Sequence, residues 1–251
     1  MSKIAFTIED WYALSPGLTD RSAWKRWAIS EQWPTEPEAL STHLIPAMMR
    51  RRMSPLSKVA LQTAMYLQQN LQQQQQSFDY LVFSSRHGEL PRTVDLLQQV
   101  LQGEEASPMA FSQSVHNTSV GLFTIASKSP IPATSLAGCE SSLHYALIEA
   151  YAYLEDNPEH KVLVLDFDAP LPQPYTVFED DTHQPLYALG LVLRAGNNTE
   201  LTWKPLENMK QPIIKHSLTL ETLKQLALHE QQINAKWQIS DSRTQWAWNH
   251  Q

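Results

Sequence analysis

Few residues in this chain have the types and spacing to do chemistry. The one cysteine, Cys139, stands in Thr134-Ser-Leu-Ala-Gly-Cys-Glu-Ser-Ser-Leu143, a strand-like run followed by a glycine turn and the start of a helical pattern. A nucleophile would sit there, because the unpaired N–H groups at a helix N-terminus stabilise a thiolate. Free cysteine also packs in cores as a small hydrophobe, so the residues alone leave Cys139 open between nucleophile and packing thiol. A cysteine nucleophile needs a base within hydrogen-bond reach. Of nine histidines, only His87 and His116 lie in segments that read as a functional loop or helix start, and no spacing forces either to meet Cys139. His-Glu-x-x-His and paired His/Cys spacings do not occur, so no metal site is expected. Asp166 and Asp168 end an apolar strand, a place where binding groups gather in open α/β sheets, and the simpler reading adopted for them is a solvated strand end.

These residues need elements to position them. Residues 140–155 predict a helix, with Leu143, Ala146, Leu147, Ala150 and Leu154 on one face at steps of three and four. Residues 131–136 before it and 161–167 after it favour strand, and the spacing suits a strand-helix-strand crossover. Further strands are predicted at 3–8, ended by a turn at 13–17, and at 78–85. Residues 186–193 and 199–203 read as two strands joined at the turn-forming Ala195-Gly-Asn-Asn198, an antiparallel pair that closes the sheet. Ser54-Pro55 is an N-cap followed by proline at the first helical position. Leu56, Val59, Ala60, Thr63, Ala64 and Leu67 continue it as an apolar stripe, and residues 68–76, rich in glutamine, form a solvated end. Val94, Leu97 and Leu101 predict a further helix ended by Gly103, and residues 120–127 and 220–233 predict two more. Trp24, Trp27 and Trp33 with Pro34 and Pro37 predict an irregular excursion that packs its tryptophans on the body or a neighbour. Residues 168–184, proline-rich and acidic, predict a surface loop, and nothing about Trp237, Trp246 and Trp248 suggests chemistry. With no repeat and no linker, the chain reads as one α/β domain, a mixed sheet flanked by helices.

Composition narrows the function. The 251 residues, 42% hydrophobic, suffice for a substantial core. One cysteine allows no internal disulfide, and neither a secretory leader nor a long apolar span is evident, so a cytoplasmic protein without membrane insertion is expected. The net charge of −7, with Arg50-Arg51-Arg52 as the one basic run, argues against a nucleic-acid partner. No glycine-rich phosphate loop occurs, and no cofactor is expected.

The order of the pieces resembles the β-ketoacyl synthases of the thiolase fold, specifically a short branch similar to the chain-length-factor subunits of aryl-polyene type II polyketide synthases. The likeness rests on residues 4–17 as first strand and Ser-Pro turn, and on Arg51-Arg52-Met53-Ser54 before the long helix. It continues through Phe83-Ser-Ser-Arg-His-Gly-Glu89 with Arg92-Thr93 and Leu96-Leu97, then Ser107-Pro108 with Phe111-Ser112. Its strongest parts are Ser114-Val-His-Asn117 with Gly121 and the Thr134 to Leu143 strand-elbow-helix, which bears the catalytic cysteine in active ketosynthases. It is clearest over residues 1–195 of a single 1–251 domain, with 196–251 as a C-terminal extension.

The resemblance implies half of a ketosynthase fold. Active members have a second half whose two histidines assist decarboxylation and stabilise the carbanion. This chain stops before such a half, and it has neither a His-Gly-Thr-Gly-Thr element nor a Gly-His after a lysine-containing loop. Glu140 replaces a small polar residue and sets beside the thiol a carboxylate that opposes thiolate formation. No catalytic residue is therefore expected, Cys139 being the one residual candidate, a relic or a packing residue. The resemblance further implies a non-catalytic chain length factor. It would form a heterodimer with a full-length ketosynthase, meet acyl-carrier protein transiently and shape the acyl tunnel in aryl-polyene, polyketide or fatty-acid-like biosynthesis. Carried over, the interface residues are Pro132, Thr134, Ser135 and Leu136 on the strand before the elbow. Those at the far end of the tunnel are Phe111, Val115, His116, Asn117 and Phe123. Core packing is an equal alternative for Val115 and Phe123, and His116 and Asn117 suit hydrogen bonding at a helix start. Two other functions stand beside this one: a small Cys139-dependent acyltransferase or thioesterase acting on acyl-carrier-protein substrates, and a scaffold for carrier-protein docking.

Overall fold

The computed structural model describes residues 2–178, 185–206, 216–230 and 234–251. The strands are β1 (Ser2–Leu14), β2 (Tyr80–Ser84), β3 (Ala133–Leu136), β4 (Lys161–Asp168), β5 (Tyr187–Pro205), β6 (Ala235–Ser240) and β7 (Thr244–His250). The helices are α1 (Arg21–Ser30), α2 (Ala47–Arg50), α3 (Pro55–Gln73), α4 (Leu90–Leu101), α5 (Pro108–Ser112), α6 (Thr118–Ser127), α7 (Ser142–Asp156) and α8 (Leu218–His229). All seven strands form one mixed sheet in the order β3-β2-β4-β5-β7-β6, with β1 also on β5. β3, β2 and β4 run parallel, and the other pairs are antiparallel.

The short apolar runs follow from burial on both faces of the sheet. In β4, Val162 and Val164 face one core, and Leu163, Leu165 and Phe167 face the other. β2 divides in the same way, Tyr80 and Val82 against Leu81 and Phe83, as a period of two requires. Helices α1, α7 and α8 cover the first face, and α3 and α6 cover the second. The stripes expected of α3 and α7 are buried throughout. Ser54 Oγ caps α3 by accepting the Ser57 N–H at 2.9 Å. The helix extends to Gln73 with Gln68 buried, while Gln72 to Gln76 are exposed as expected of a solvated end. α3 packs so closely on β5 that a Cβ at Gly190 would lie 2.6 Å from Leu67 Cδ1 and 3.2 Å from Thr63 Cγ2.

Several expectations are corrected. The first part of the excursion after the first strand is helical: Asp20 caps α1 by accepting the Ala23 N–H at 2.8 Å, and Trp24 and Trp27, three residues apart, are both buried, while the stretch with Trp33, Pro34 and Pro37 is irregular as expected. The expected hairpin at 195–198 is a bulge within the single long strand β5. β1 lies opposite both halves, pairing Thr7 with Arg194 and Phe6 with Thr199, so the four residues between are left out of the ladder. Asn198 replaces the missing bonds, its Oδ1 accepting the Ile8 N–H at 3.0 Å and its Nδ2 donating to the Ile8 carbonyl at 3.2 Å. Bulge and hairpin ask for the same residues, and only the partner strand distinguishes them. In α4 the expected apolar stripe buries Val94 alone, with Leu97 and Leu101 exposed. α8 is described to His229 and begins two residues earlier than expected; the end expected at 233 and the loop residues 179–184 lie outside the described residues.

Candidate functional site: the elbow and its buried polar support

β3, the glycine turn and α7 form the expected elbow. Cys139 sits at its tip with φ 54°, a left-handed conformation that costs a non-glycine residue about 1–2 kcal/mol. One local hydroxyl holds it: the Gly138 N–H donates to Ser142 Oγ at 3.0 Å, and Ser142 Oγ donates to the Cys139 carbonyl at 2.8 Å. Cys139 is exposed, which removes the packing-thiol reading for this chain by itself. Among the described residues its sulfur has no hydrogen-bond partner, so no base addresses it.

The residues after Cys139 are gripped by the turn between β6 and β7, a feature no sequence signal assigned to the elbow. Glu140 accepts the Ser242 N–H and O–H, both at 3.0 Å. Ser141 Oγ donates to Asp241 Oδ2 and accepts the Trp246 indole N–H at 2.9 Å. Asp241 Oδ1 in turn accepts the N–H groups of Arg243 at 2.7 Å and Thr244 at 2.5 Å, which fixes the turn. One helical turn further on, His144 stacks on Trp246 at 4.5 Å and accepts the Trp248 indole N–H at 3.3 Å. Burial pushes His144 down to about 3, so it stays neutral and serves as core. The C-terminal tryptophans thus support the elbow without taking part in chemistry.

On the β2 and β4 side lies a second polar group, and here the solvated-end reading of Asp166 and Asp168 is overturned: they are 1% and 6% exposed. Asp166 accepts hydroxyls from Ser84 at 2.6 Å, Thr219 at 2.7 Å and Tyr187 at 3.0 Å. Asp168 accepts the Ser85 hydroxyl at 2.8 Å and the N–H groups of Arg86 at 2.8 Å and His87 at 3.1 Å. Burial, with the Asp166 charge beside it, pushes Asp168 up to about 7, and its hydrogen bonds oppose the shift. Asp166 is raised by burial against its three hydroxyls. The carboxylates hold the turn after β2, where Gly88 has φ 57° and His116 Cδ2 would lie 3.0 Å from a Cβ. His116 Nε2 donates to the Ser85 carbonyl at 2.9 Å, tying the start of α6 to that turn. Glu89 is buried and accepts hydroxyls from Ser54 at 2.7 Å and Ser57 at 2.5 Å. A run such as Leu-Asp-Phe-Asp announces a strand end, and only the surrounding hydroxyls reveal that it is dry.

The other expected site residues divide by position. β3 is an edge strand of the sheet, paired on one side to β2. Pro132 is exposed, its carbonyl accepting the Leu81 N–H at 3.0 Å. Thr134 hydrogen-bonds the Tyr80 hydroxyl, Leu136 is half-buried, and Ser135 Oγ is buried with no partner among the described residues. Phe111 and Val115 are exposed, and Phe123 is fully buried 5.9 Å from the Phe83 ring. Asn117 precedes α6 but makes no side-chain cap bond; Thr118 Oγ1 donates to the Val115 carbonyl instead. Residues 97–145 supply eight of the thirteen large apolar side chains exposed among the described residues. Those residues hold no group of three metal-ligating side chains, and no described helix is long and apolar enough to cross a membrane.

Comparison with known proteins places this geometry. A family model described as the β-ketoacyl synthase N-terminal domain matches residues 24–249. A chain in the structure of the ketosynthase ApeO in complex with its chain length factor ApeC, from Xenorhabdus doucetiae, is 30% identical. That match covers 98% of this chain and 100% of the other at a TM-score of 0.84. The ishigamide ketosynthase/chain length factor matches over 99% of both chains at 11% identity and a TM-score of 0.72. The AntDE:AntF complex, a type II PKS acyl-carrier protein with its ketosynthase bound to the hexaketide, matches over 100% of both at 10% identity and 0.69. At these lower identities the likeness is one of fold. No curated protein sequence gives a significant match. With the family model spanning most of its length and a 30% identical fold matched from end to end, this chain belongs to the β-ketoacyl synthase N-terminal domain family and has the thiolase-like half of the ketosynthase fold.

Proposed function

We propose that this chain is a chain length factor, a non-catalytic subunit that pairs with a full-length β-ketoacyl synthase in the cytoplasm and shapes its acyl tunnel during aryl-polyene or related polyketide synthesis. The observation that carries the reading is the 30% identity, over 98% of this chain and 100% of the other, to a chain of the complex between a ketosynthase and its chain length factor. The elbow supports it: the strand-turn-helix geometry is intact, but among the described residues the thiol has no base, and the residues after it are bound to the 241–244 turn. β3 supports the pairing, because an edge strand offers unpaired N–H and C=O groups to a partner. Residues 1–251 act as one domain in this reading, with 196–251 as an extension that strengthens the sheet. Acyl-carrier protein meets the pair transiently, and Phe111, Val115, His116, Asn117 and Phe123 lie toward the tunnel end.

Co-expression with the cognate full-length ketosynthase tests the proposal. A one-to-one complex should form, and with loaded carrier protein it should give products of defined length by mass spectrometry, also with Cys139→Ala. A stable monomer indifferent to the ketosynthase, or stable acylation of Cys139 by acyl-carrier protein, counts against it. The exposure of Cys139 favours keeping the acyltransferase reading as that second outcome.

A further inference from the structure

An open, surface-facing cavity of about 490 Å³ lies between the loop at 37–42, the segment at 50–58 and Leu186, and the elbow gives it no role. Its charged lining is unusual for a chain of net charge −7: Arg50, Arg51 and Lys58 face it against one carboxylate, Glu38. Arg50 is fixed in place, its guanidinium donating to the Thr42 carbonyl at 3.0 Å. Arg51 and Lys58 have no ion-pair partner among the described residues. Glu89, the buried carboxylate at the start of α3, is committed to Ser54, Ser57 and Arg92. Apart from Thr42, the remaining wall is apolar, with Leu40, Pro37 and Leu186.

We propose that this cavity binds a small amphiphilic anion, a carboxylate or phosphate head on a short apolar body. Three cations against one carboxylate leave a net repulsion, and an anionic head relieves it while a desolvated tail covers the apolar wall. The volume lies within the range of about 300–1,000 Å³ common to small-molecule sites. A polyanion does not fit as well, because a chain of net charge −7 repels an extended run of negative charge. The proposal stands apart from the chain-length-factor reading and survives its failure.

Calorimetric titration of the full chain, alone or in complex with its ketosynthase, with octanoate, octyl phosphate, octanol and inorganic phosphate tests the proposal. Octanoate and octyl phosphate should bind saturably and more weakly as salt rises, with octanol and inorganic phosphate at least tenfold weaker. The double variant Arg51→Gln/Lys58→Gln should lose at least tenfold in affinity for both anions. A control on exposed α1 positions, Lys25→Gln/Arg26→Gln, should lose none. Leu40→Trp, which fills the cavity and keeps its charges, should also abolish binding, and thermal unfolding checks that each variant folds. Absence of saturable binding, equal affinity for octanol, or binding unmoved in a folded Arg51→Gln/Lys58→Gln variant overturns the proposal. Inorganic phosphate binding as tightly as octyl phosphate overturns it too.

Discussion

Asp168 and His144 are buried on different elements, and their titrations pull stability in opposite directions. Asp168 is raised from 3.8 to about 7, so the folded state holds its proton more tightly than the unfolded state does. Its contribution is fully present below about pH 4 and is lost as pH rises toward 7. His144 is lowered from 6.5 to about 3, so its contribution is present above pH 6.5 and is lost as pH falls toward 3. Each shift corresponds to roughly 4–5 kcal/mol at most, and between pH 4 and 6.5 the two slopes largely cancel. Asp168→Asn should therefore tilt the stability profile upward with pH over this window, by a few kcal/mol relative to the parent, and His144→Phe should tilt it downward. Urea midpoints at pH 4.5 and 6.5 measure the tilt; parallel profiles for parent and variants would refute the assignment. Asp168→Asn also turns one amide N–H₂ toward a backbone donor that the carboxylate accepts, at a further cost of about 1–3 kcal/mol.

Between elements, the elbow depends on strands far along the chain. Ser141 joins α7 to the β6–β7 turn by donating to Asp241 and accepting from Trp246. Ser141→Ala leaves a buried carboxylate oxygen and an indole N–H unsatisfied and should cost about 1–3 kcal/mol in denaturant unfolding. Loss of less than half a kcal/mol would mean that solvent replaces the bond. On the opposite face, Gly190 lets α3 lie directly on β5. Gly190→Ala should destabilise by about 1–3 kcal/mol through overpacking against Leu67 and Thr63, since a backbone inside a paired strand cannot retreat. A variant as stable as the parent would show that α3 shifts freely.

At the scale of the whole molecule, β3 is an edge strand among the described residues, and their prominent exposed apolar side chains cluster between residues 97 and 145. Ala133 is exposed on β3; if the proposed ketosynthase pairs along this edge, Ala133→Glu should leave the fold intact and abolish co-purification by forcing an unpaired charge into that contact. An undiminished complex would place the partner elsewhere. Val115 is 42% exposed, so Val115→Trp adds bulk without overpacking the core. If this segment faces the tunnel, the reconstituted pair should release shorter products by mass spectrometry, at unchanged complex stability.

What could be read without coordinates was what periodicity and local chemistry encode. The stripes of α3 and α7, the Ser54 cap, the runs that became β2 and β4, and the strand-turn-helix at Cys139 each follow from residues within a few positions of one another. The family followed from the order of such pieces. Tertiary structure alone decided the rest, because those features depend on partners distant in sequence. Whether residues 195–198 turn or bulge depended on β1, about 190 residues away, as the 190-residue span of the Ile8–Asn198 bond records. Whether Asp166 and Asp168 met water depended on hydroxyls from β2, β5 and α8. The grip on the elbow crossed 100 residues, from Ser141 to Asp241. A sequence specifies which groups need partners, and only the fold determines which partners reach them.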